Sequence, residues 1–346
     1  MRSSEIRHPK VVIGLSGGVD SAVAAWLLKN QGFEVIGVHL IFVESKQDMV
    51  EHVAQLIGIQ TVTVEARDEF RRLIIYYFVN EYRHGRTPNP CALCNARLKL
   101  LKLNEIAVRF SAQFIATGHY VRIKSGRIFR AIDKSKDQSY FLALVPKDLV
   151  AKMVAPLGEL TKAQVIEIAK RHGFFGEVPK ESQDVCFLKG TTLEEFLRMH
   201  IGDREGQILD EDGRPIGVHK GVHYYTLGQR RGLGVALGQR AYIVKLDPEK
   251  NIVRLGRDAH FKAMRVKDIN WIVEPRRTRF HALVKIRQLH RPAPAHVELE
   301  GSNNAFVVFD EPQWAPTPGQ IAAFYEQDLL LGGGFIEKPL HPSFET

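Results

Sequence analysis

Two short stretches of this sequence carry residue types suited to chemistry, and the first is a glycine-rich turn. The apolar run Val11–Ile13 leads into Gly14-Leu15-Ser16-Gly17-Gly18-Val19-Asp20-Ser21, and an amphipathic pattern follows. This order predicts a buried strand, a tight loop and a helix. Free backbone N–H groups and the positive end of the helix dipole would meet at the loop, so we expect it to bind a phosphate. Two adjacent glycines would let the backbone approach that phosphate closely.

The second stretch is a proline-rich loop that contains two thiols. Gly85-Arg86-Thr87-Pro88-Asn89-Pro90 precedes Cys91-Ala92-Leu93-Cys94, and a helical pattern starts near Cys94 with Arg97 and Lys99 close by. A thiol at a helix N-terminus beside cations is favoured as the reactive thiolate. The alternative is half of a zinc site, which needs a fourth ligand beyond the three cysteines of the chain.

The third cysteine, Cys186, stands alone in Ser182-Gln183-Asp184-Val185-Cys186-Phe187-Leu188. Taken by itself, a single cysteine before two large apolar residues is more often a buried small hydrophobe than a nucleophile. Three cysteines are also too few for a disulfide framework.

Composition limits the classes of protein to consider. A chain of 346 residues is long enough for two or three domains. No apolar run approaches the ~18 residues of a membrane span, and the N-terminus lacks the apolar core of a signal peptide, so we expect a cytoplasmic protein with no membrane partner. The 48 basic and 39 acidic side chains give a net charge of +9, which favours a polyanionic partner.

The order of patterns predicts an α/β domain followed by β structure. Short apolar runs such as Val35–Leu40, Thr61–Val64 and Gln113–Thr117 alternate with helical patterns, which indicates a parallel sheet. Ligands bind beyond the carboxyl ends of such strands, where the glycine loop, Leu40 and Gly118 would lie. Thr161 to Gln164 reads as a capping box that begins a helix. From about residue 266, regularly spaced short strands suggest a small barrel.

Several motifs, taken together, resemble a known family. Ser-Gly-Gly-Val-Asp-Ser lacks the Gly-Lys-Ser/Thr of a Walker loop and resembles the PP-loop of ATP pyrophosphatases. Over almost the whole chain, the order of motifs resembles the bacterial tRNA-specific 2-thiouridylases, the MnmA family. The remaining motifs that carry this resemblance are Gly118-His119-Tyr120, Lys136-Asp137-Gln138-Ser139, Tyr225-Thr226-Leu227-Gly228-Gln229-Arg230-Arg231-Gly232-Leu233, Thr317-Pro318-Gly319-Gln320 and Leu331-Gly332-Gly333-Gly334.

The resemblance implies a role for particular residues. The ATP-binding residues would be Gly14, Leu15, Ser16, Gly17, Gly18, Val19, Asp20, Ser21, Leu40 and Gly118. The residues against the target base, uridine 34 of the anticodon, would be Asn89, Pro90 and Cys91, and those that contact tRNA would be Lys136, Asp137, Gln138, Arg287 and Gln288. Cys94 matches the family's nucleophile, and Cys186 matches the cysteine that receives sulfur as a persulfide.

The implied reaction is ATP-dependent 2-thiolation of tRNA uridine. Adenylation would activate the C2 oxygen, the Cys186 persulfide would attack C2, and a Cys94–Cys186 disulfide would form; the two thiols must meet, which places Cys186 on a mobile loop. Asp20 would either help place Mg²⁺ or cap the helix. The implied partners are the tRNAs for Lys, Glu and Gln, with a sulfur-relay protein or a cysteine desulfurase as the donor.

One position departs from the family pattern, because Cys91 stands where the loop usually has Asp. Cys91, Cys94 and Cys186 could hold a [4Fe–4S] cluster with one iron left open, which would supply sulfide in place of the persulfide. The other interpretation is that Cys91 is a tolerated substitution beside the base.

The resemblance and the patterns together predict three domains. These are a PP-loop (adenine nucleotide alpha hydrolase-like) parallel-sheet domain at 1–200, a small β-rich domain at 201–265, and a tRNA-contacting C-terminal β-barrel at 266–346. Residues 262 to 300 hold nine Lys or Arg against four Asp or Glu, and Arg276-Arg277-Thr278-Arg279 would track phosphates or form a solvated strand face.

Two other classes of function remain open at this point. A PP-loop synthetase that acts on a small molecule would not need the Cys94 and Cys186 pair. A non-catalytic iron–sulfur or RNA-binding protein that retains the fold would bind tRNA without consuming ATP.

Overall fold

A computed structural model describes residues 8–176, 185–235 and 240–340. The chain divides into two compact units. The first comprises Met1–Leu73, Leu93–Gln183 and Asp328–Leu330, and the second comprises Ile74–Ala92, Asp184–Gln327 and Leu331–Thr346. The predicted boundaries at residues 200 and 265 stay a prediction.

Helices and strands alternate early in the described chain, and strands predominate after about residue 205. The helices are α1 (Val19–Asn30), α2 (Gln47–Ile57), α3 (Arg67–Phe70), a π-helical segment (Arg71–Ile75), α4 (Tyr76–Arg83), α5 (Pro90–Cys94), a π-helical segment (Asn95–Lys99), α6 (Leu100–Arg109), a 3-10 turn (Ser139–Leu142), α7 (Lys147–Val150), α8 (Lys162–Arg171), a 3-10 turn (Cys186–Leu188), α9 (Leu193–Ile201) and a 3-10 turn (Val222–Tyr224). The strands are β1 (Lys10–Gly14), β2 (Glu34–Ile41), β3 (Gln60–Glu65), β4 (Phe114–Ala116), β5 (Val121–Lys124), β6 (Arg127–Arg130), β7 (Met153–Val154), β8 (Gly206–Leu209), β9 (Pro215–His219), β10 (Tyr242–Asp247), β11 (Ile252–Gly256), β12 (His260–Trp271), β13 (Arg279–Lys285), β14 (Ala293–Leu299), β15 (Ala305–Trp314), β16 (Ile321–Glu326) and β17 (Leu329–Leu340).

The first unit is built on a parallel sheet of five strands in the order β3-β2-β1-β4-β7. Its central strand β1 is an uninterrupted apolar run whose residues Val11 to Ile13 are fully buried, as strands covered on both faces require. Val23 and Leu28 of α1 are fully buried in the same core. The predicted parallel α/β sheet is therefore confirmed, and Ser16, Leu40 and Gly118 lie at the carboxyl ends of β1, β2 and β4.

A local signal in the sequence predicted the start of α8 correctly, and the turn between β5 and β6 has the backbone conformation of a tight hairpin. The capping box is present, because Thr161 accepts a hydrogen bond from the Gln164 backbone while the Gln164 side chain accepts one from the Thr161 backbone. The hairpin β5–β6 turns at Ser125 and Gly126, which both have left-handed φ angles (47° and 67°).

One predicted boundary was wrong. The helix expected to start near Cys94 begins a turn earlier, at Pro90. Proline is favoured at the first helical position, since its missing N–H is not needed there and its fixed φ suits a helix. Cys91 therefore occupies the first turn, and Cys94 lies at the end of that turn.

The second unit is rich in antiparallel strands, as predicted. Strands β12 to β17 pair in the order β12-β15-β14-β13-β16-β17, and β17 pairs back with β12, so the six strands close into a barrel. A separate sheet of four strands, β10-β11-β8-β9, covers a small core that includes Ile208, Ile243 and Val253.

Candidate active site

The glycine loop lies, as predicted, between a buried strand and a helix. Gly17 has a left-handed φ of 70°, which turns the chain from β1 into α1. The Ser21 hydroxyl donates to the Gly18 carbonyl (2.9 Å) and accepts from the Ser16 backbone N–H (3.2 Å), so the loop is braced by its own residues. No side chain caps the start of α1 at Gly18 in the described structure, which leaves the dipole end to an incoming anion.

Gly118 packs directly against this loop. A Cβ atom at Gly118 would lie 2.8 Å from the backbone nitrogen of Ser21 and 2.9 Å from the carbonyl carbon of Asp20, so a side chain is sterically excluded. Leu40 is partly exposed near the end of β2, and pairs with Val64 of β3. Both predicted nucleotide-pocket residues thus belong to the same sheet edge as the loop.

A buried histidine, which the sequence analysis did not single out, also braces the loop. His39 on β2 is 3% exposed, and its Nδ1 lies 3.1 Å from the Leu15 carbonyl. Its Nε2 lies 3.2 Å from the backbone N–H of Lys46, so Nε2 accepts and Nδ1 donates. The imidazole therefore ties the glycine loop to the segment that follows β2.

The carboxylate of Asp20 is held by two groups from distant parts of the first unit. The Lys162 ammonium lies 2.6 Å and 2.8 Å from its two oxygens, and the Tyr120 hydroxyl donates to Oδ1 at 2.7 Å. Lys162 is the first residue of α8, next to the predicted capping box. The fold thus places a cation beside the glycine loop, and no local pattern around Lys162 in the sequence indicated it.

His119 is a neutral imidazole close to the same edge. Burial, and to a lesser degree the positive charge of Lys99, lower the pKa of His119 to about 3, although part of its side chain still reaches solvent. Its Nδ1 lies 2.7 Å from the Thr117 hydroxyl. His119 therefore acts as a hydrogen-bonding group at neutral pH and carries no charge there.

The residues predicted to lie against the target base form a capped helix start. The side-chain oxygen of Asn89 accepts a hydrogen bond from the Ala92 backbone N–H (3.0 Å), which makes Asn89 the N-cap of α5. Asn89 and Pro90 are buried, whereas Cys91 is exposed. Among the three, Cys91 presents its side chain to solvent.

Within the second unit, the barrel holds the segment just before this cap. The Gln320 side chain donates to the carbonyl oxygens of Thr87 (2.9 Å) and Pro88 (3.2 Å), and the Thr87 N–H donates to the Pro318 carbonyl (2.8 Å). Gly319 has a left-handed φ of 88°, and a Cβ there would lie 3.1 Å from the Arg86 Cβ and 3.2 Å from the Thr87 backbone. The motif Thr317–Gln320 therefore holds the proline-rich loop in place by hydrogen bonds and close packing, and we call this motif the clamp.

The Tyr225–Leu233 motif contributes to the same clamp. The Thr226 hydroxyl lies 3.0 Å from that of Thr87. Arg287 donates to the carbonyl oxygens of Leu227 (3.2 Å) and Ala315 (3.3 Å), and also to the Thr317 hydroxyl. Arg287, predicted to contact tRNA, thus ties the two motifs together, and its neighbour Gln288 is partly buried.

The nucleophile candidates differ in exposure. Cys94 is 8% exposed, whereas Cys186 is exposed. The next residue after Cys94, Asn95, is 2% exposed; its amide nitrogen donates to the Phe141 carbonyl (3.2 Å), and its Oδ1 has no hydrogen-bond partner within the described structure. The Asn95 Oδ1 atom is thus a buried acceptor in the residue next to Cys94, the predicted nucleophile.

Cys186 begins a 3-10 turn that is anchored by the residue after it. The Phe187 ring packs against the rings of Phe78 (5.0 Å between centroids) and Phe196 (5.4 Å). Residues 182–184 of the same motif lie outside the described residues, and the expectation of a mobile Cys186 loop stays a prediction.

The predicted tRNA-contacting motif at 136–138 contains one strongly buried member. Asp137 is 1% exposed; its carboxylate accepts from the Ser139 hydroxyl (2.9 Å), the Ala131 N–H (3.1 Å) and Arg130 (3.3 Å). The Gln138 side chain accepts from the Tyr120 N–H at 3.0 Å. Lys136 is partly exposed. These bonds make Asp137 and Gln138 supports of the loop that carries Lys136.

Three family models match successive parts of the chain. They are the tRNA methyl transferase HUP domain over residues 9–190, the tRNA methyl transferase PRC-barrel domain over 194–257 and the aminomethyltransferase beta-barrel domain over 261–336. The part of the chain that the structure describes contains no helix long and apolar enough to cross a membrane.

Curated relatives match nearly the full length of the chain. The tRNA-specific 2-thiouridylase MnmA of Carboxydothermus hydrogenoformans is 39% identical, over 97% of this chain and 99% of its own length. The proteins of the same name from Gloeothece citriformis and Trichormus variabilis are 42% and 41% identical, each over 95% of this chain and 99% of their own length.

Proposed function

The chain belongs to the tRNA-specific 2-thiouridylase (MnmA) family, and we propose that it uses ATP to replace the C2 oxygen of a tRNA uridine with sulfur. The observation that carries this proposal is the identity of about 40% with 2-thiouridylases over nearly the whole chain. Two family models are described as methyl transferases, but the full-length relatives are thiouridylases, and the Gly14–Ser21 loop is not the loop of a methyl-transfer fold.

In the proposed first step, the site activates the carbonyl. The C2 oxygen of the uracil attacks the α-phosphate of ATP, pyrophosphate leaves, and an adenylated base results. The Gly14–Ser21 loop would bind the phosphates through its backbone N–H groups, and Lys162 would supply positive charge beside them. The target is uridine 34 of the anticodon, which must leave its stack to be reached, and an anticodon loop is already partly unstacked.

In the proposed second step, sulfur is transferred. The terminal sulfur of a Cys186 persulfide attacks C2, and AMP leaves with the former C2 oxygen. Cys94 as the thiolate then attacks the inner sulfur of Cys186, which releases 2-thiouridine and leaves a Cys94–Cys186 disulfide for an external thiol to reduce. A sulfur-relay protein or a cysteine desulfurase would reload Cys186.

Mg²⁺ is proposed as the cation that accompanies ATP. Carboxylate and phosphate oxygens are its preferred ligands, and Asp20 in the first turn of α1 fits as one such ligand. Asp20 accepts bonds from Lys162 and Tyr120. If the Asp20 carboxylate held Mg²⁺, Lys162 would pair with the phosphates.

The exposed thiol of Cys91 supports a second sulfur route for the same reaction. Cysteine thiolates are the usual ligands of a [4Fe–4S] cluster, so the donor set Cys91, Cys94 and Cys186 fits such a cluster in kind. When bound, the cluster would supply sulfide at its open iron.

The central experiment incubates the protein with ATP, Mg²⁺, a sulfur source and unmodified tRNA for Lys, Glu or Gln, and then measures 2-thiouridine by nucleoside mass analysis. We expect product from the native chain and none from Cys94→Ser or Cys186→Ser. ATP consumption that needs neither tRNA nor the thiols, with no 2-thiouridine formed, would favour a small-molecule synthetase. Binding of tRNA with no ATP consumption would favour a non-catalytic protein.

The variant Cys91→Asp separates the two sulfur routes. Full activity of Cys91→Asp without iron favours the persulfide route. Iron and acid-labile sulfide in an anaerobic preparation of the native chain, both lost in Cys91→Asp together with activity, favour the cluster.

A further inference from the structure

Three metal-ligating side chains share one face of the barrel, in the second unit. His281 on β13 is directly opposite His296 on β14, and His296 is opposite Val308 on β15. Asp310 lies two residues beyond Val308, and alternate residues of a strand point to the same face. The strand register therefore directs all three side chains to one side of the sheet.

The three side chains converge closely. His281 Nε2 lies 3.2 Å from one carboxylate oxygen of Asp310, and His296 Nε2 lies 3.8 Å from the other. One nitrogen or oxygen ligand atom from each residue lies within 4.8 Å of the others, and the two imidazole rings are 4.8 Å apart between centroids. In the ranges that the structure describes, no other group of three or more His, Cys, Asp or Glu side chains meets this criterion.

These separations suit a transition-metal ion. Zinc binds imidazole nitrogen and carboxylate oxygen at about 2.0–2.2 Å, so tetrahedral ligand atoms lie about 3.3 Å apart. The shorter contacts already match this spacing, and rotation of the exposed side chains would close the longest one. We propose that His281, His296 and Asp310 form a Zn²⁺ site with two imidazoles, one carboxylate and a fourth position open to solvent.

The surroundings permit a cation. The nearest positive charge along β13, Arg279, is paired with Glu298 at 2.5 Å. Lys262 donates to the backbone carbonyl of Asp310, which leaves the carboxylate to the imidazoles. A cavity of about 340 Å³ adjoins the two histidines and is also lined by Arg279 and Glu298.

The site is independent of the proposed reaction, because it uses neither the cysteines nor the glycine loop. A bound ion would join β13, β14 and β15, which are consecutive neighbours in the barrel. We therefore expect Zn²⁺ to raise the thermal stability of the barrel.

The test measures Zn²⁺ binding by calorimetry on protein purified without a histidine tag. The Cys91→Ser, Cys94→Ser, Cys186→Ser background removes thiolate ligands from the measurement. We expect one Zn²⁺ per chain, with a loss from His296→Ala or Asp310→Asn that exceeds the roughly 10–100-fold contributed by outer-shell partners of a metal. The matched control is His260→Ala, since His260 pairs with Asp258 on the same barrel at 2.5 Å but lies outside this cluster.

Cobalt(II) on the native chain gives a second measurement if the cysteine-free background fails to fold. Ligation by nitrogen and oxygen gives only weak visible bands, whereas thiolate ligation adds intense charge-transfer bands. Weak bands that vanish in His296→Ala and persist in His260→Ala support the site. The proposal is overturned if neither ion binds, if binding survives His296→Ala and Asp310→Asn, or if His260→Ala removes it equally.

Discussion

The glycine loop and the proline-rich loop are held in opposite ways. Bonds within Ser16–Ser21 brace the glycine loop, together with groups of the same parallel sheet such as His39 and Gly118. The Thr87–Pro90 loop is instead held by barrel residues more than 200 positions later in the chain, Pro318 and Gln320. The predicted phosphate-binding loop thus depends on its own sheet, and the predicted base-binding loop depends on the barrel.

The barrel thus has a structural role besides its predicted contact with tRNA. Arg287 and the motif at 317–320 use their polar groups on the second unit's own loops. We therefore expect a substitution in the barrel to lower turnover on tRNA while ATP affinity is unchanged. A substitution at the sheet edge should lower ATP affinity, and turnover should fall with it.

The largest expected effect comes from Gly118→Ala. The new Cβ would lie 2.8 Å from the Ser21 nitrogen, and overpacking of backbone costs up to about 3 kcal/mol. We expect ATP affinity, measured by calorimetry, to fall about 100-fold at that cost. The control is Gly176→Ala, whose Cβ would meet nothing within 4 Å. Equal ATP affinity in both variants would remove Gly118 from the nucleotide pocket.

Gly319→Ala should displace the proline-rich loop. Its Cβ would press on Arg86 and Thr87, whereas Gly301→Ala has a comparable left-handed φ of 78° and open space. Because both variants share the backbone strain, their difference isolates the contact, which we expect to cost roughly 2 kcal/mol. Thiolation of tRNA should fall while ATP affinity stays at the native value. A fall in ATP affinity as well would contradict the separation of the two loops.

The lowered pKa of His119 should make the stability of the protein depend on pH. Its lowered pKa means that the unfolded chain binds a proton that the folded chain excludes, so stability is lost as pH falls below about 6.5 toward 3. Between pH 7.5 and 5.5 this loss is about 1.4 kcal/mol. We expect His119→Gln to remove that part of the pH dependence in urea unfolding. The exposed His52→Gln variant should retain it, and identical pH profiles for native and His119→Gln chains would refute the assignment.

The smallest effect is expected from the exposed pair Arg276 and Arg277, between β12 and β13. If they bind tRNA phosphates, replacing both by Ser lowers the slope of log affinity against log salt by about 0.7–0.9 per residue. Filter binding over a salt series measures this slope. The control is the exposed pair Lys170 and Arg171 at the end of α8. An unchanged slope would identify Arg276 and Arg277 as a solvated surface.

Local signals made much of this structure predictable. An apolar run followed by two glycines predicted β1, the loop and α1, and Thr161 to Gln164 predicted the start of α8. Asn89 and Pro90 also form a helix-start signal, an N-cap residue followed by proline, which would have predicted the start of α5 at Pro90.

What the sequence could not predict depends on residues far apart in the chain. The bonds from Lys162 to Asp20 and from Gln320 to Thr87 span 142 and 233 positions. No periodicity or spacing rule connects such positions, because tertiary packing alone brings them together. The burial of Asp137 could not be predicted from the sequence either, because its carboxylate accepts hydrogen bonds from groups that only the folded loop brings to it.

The hydrogen bond between Gln320 and Thr87 can form only late in the synthesis of the chain. Thr87 leaves the ribosome 233 residues before Gln320 does. At a translation rate of 5–20 residues per second, Gln320 is added roughly 12–47 seconds after Thr87, and until then the proline-rich loop lacks this hydrogen bond. Domains that complete early fold as they emerge, so the nascent chain would acquire the phosphate loop first. In the growing polypeptide, the loop that precedes Cys91 and its helix α5 therefore lacks these contacts until the barrel is finished.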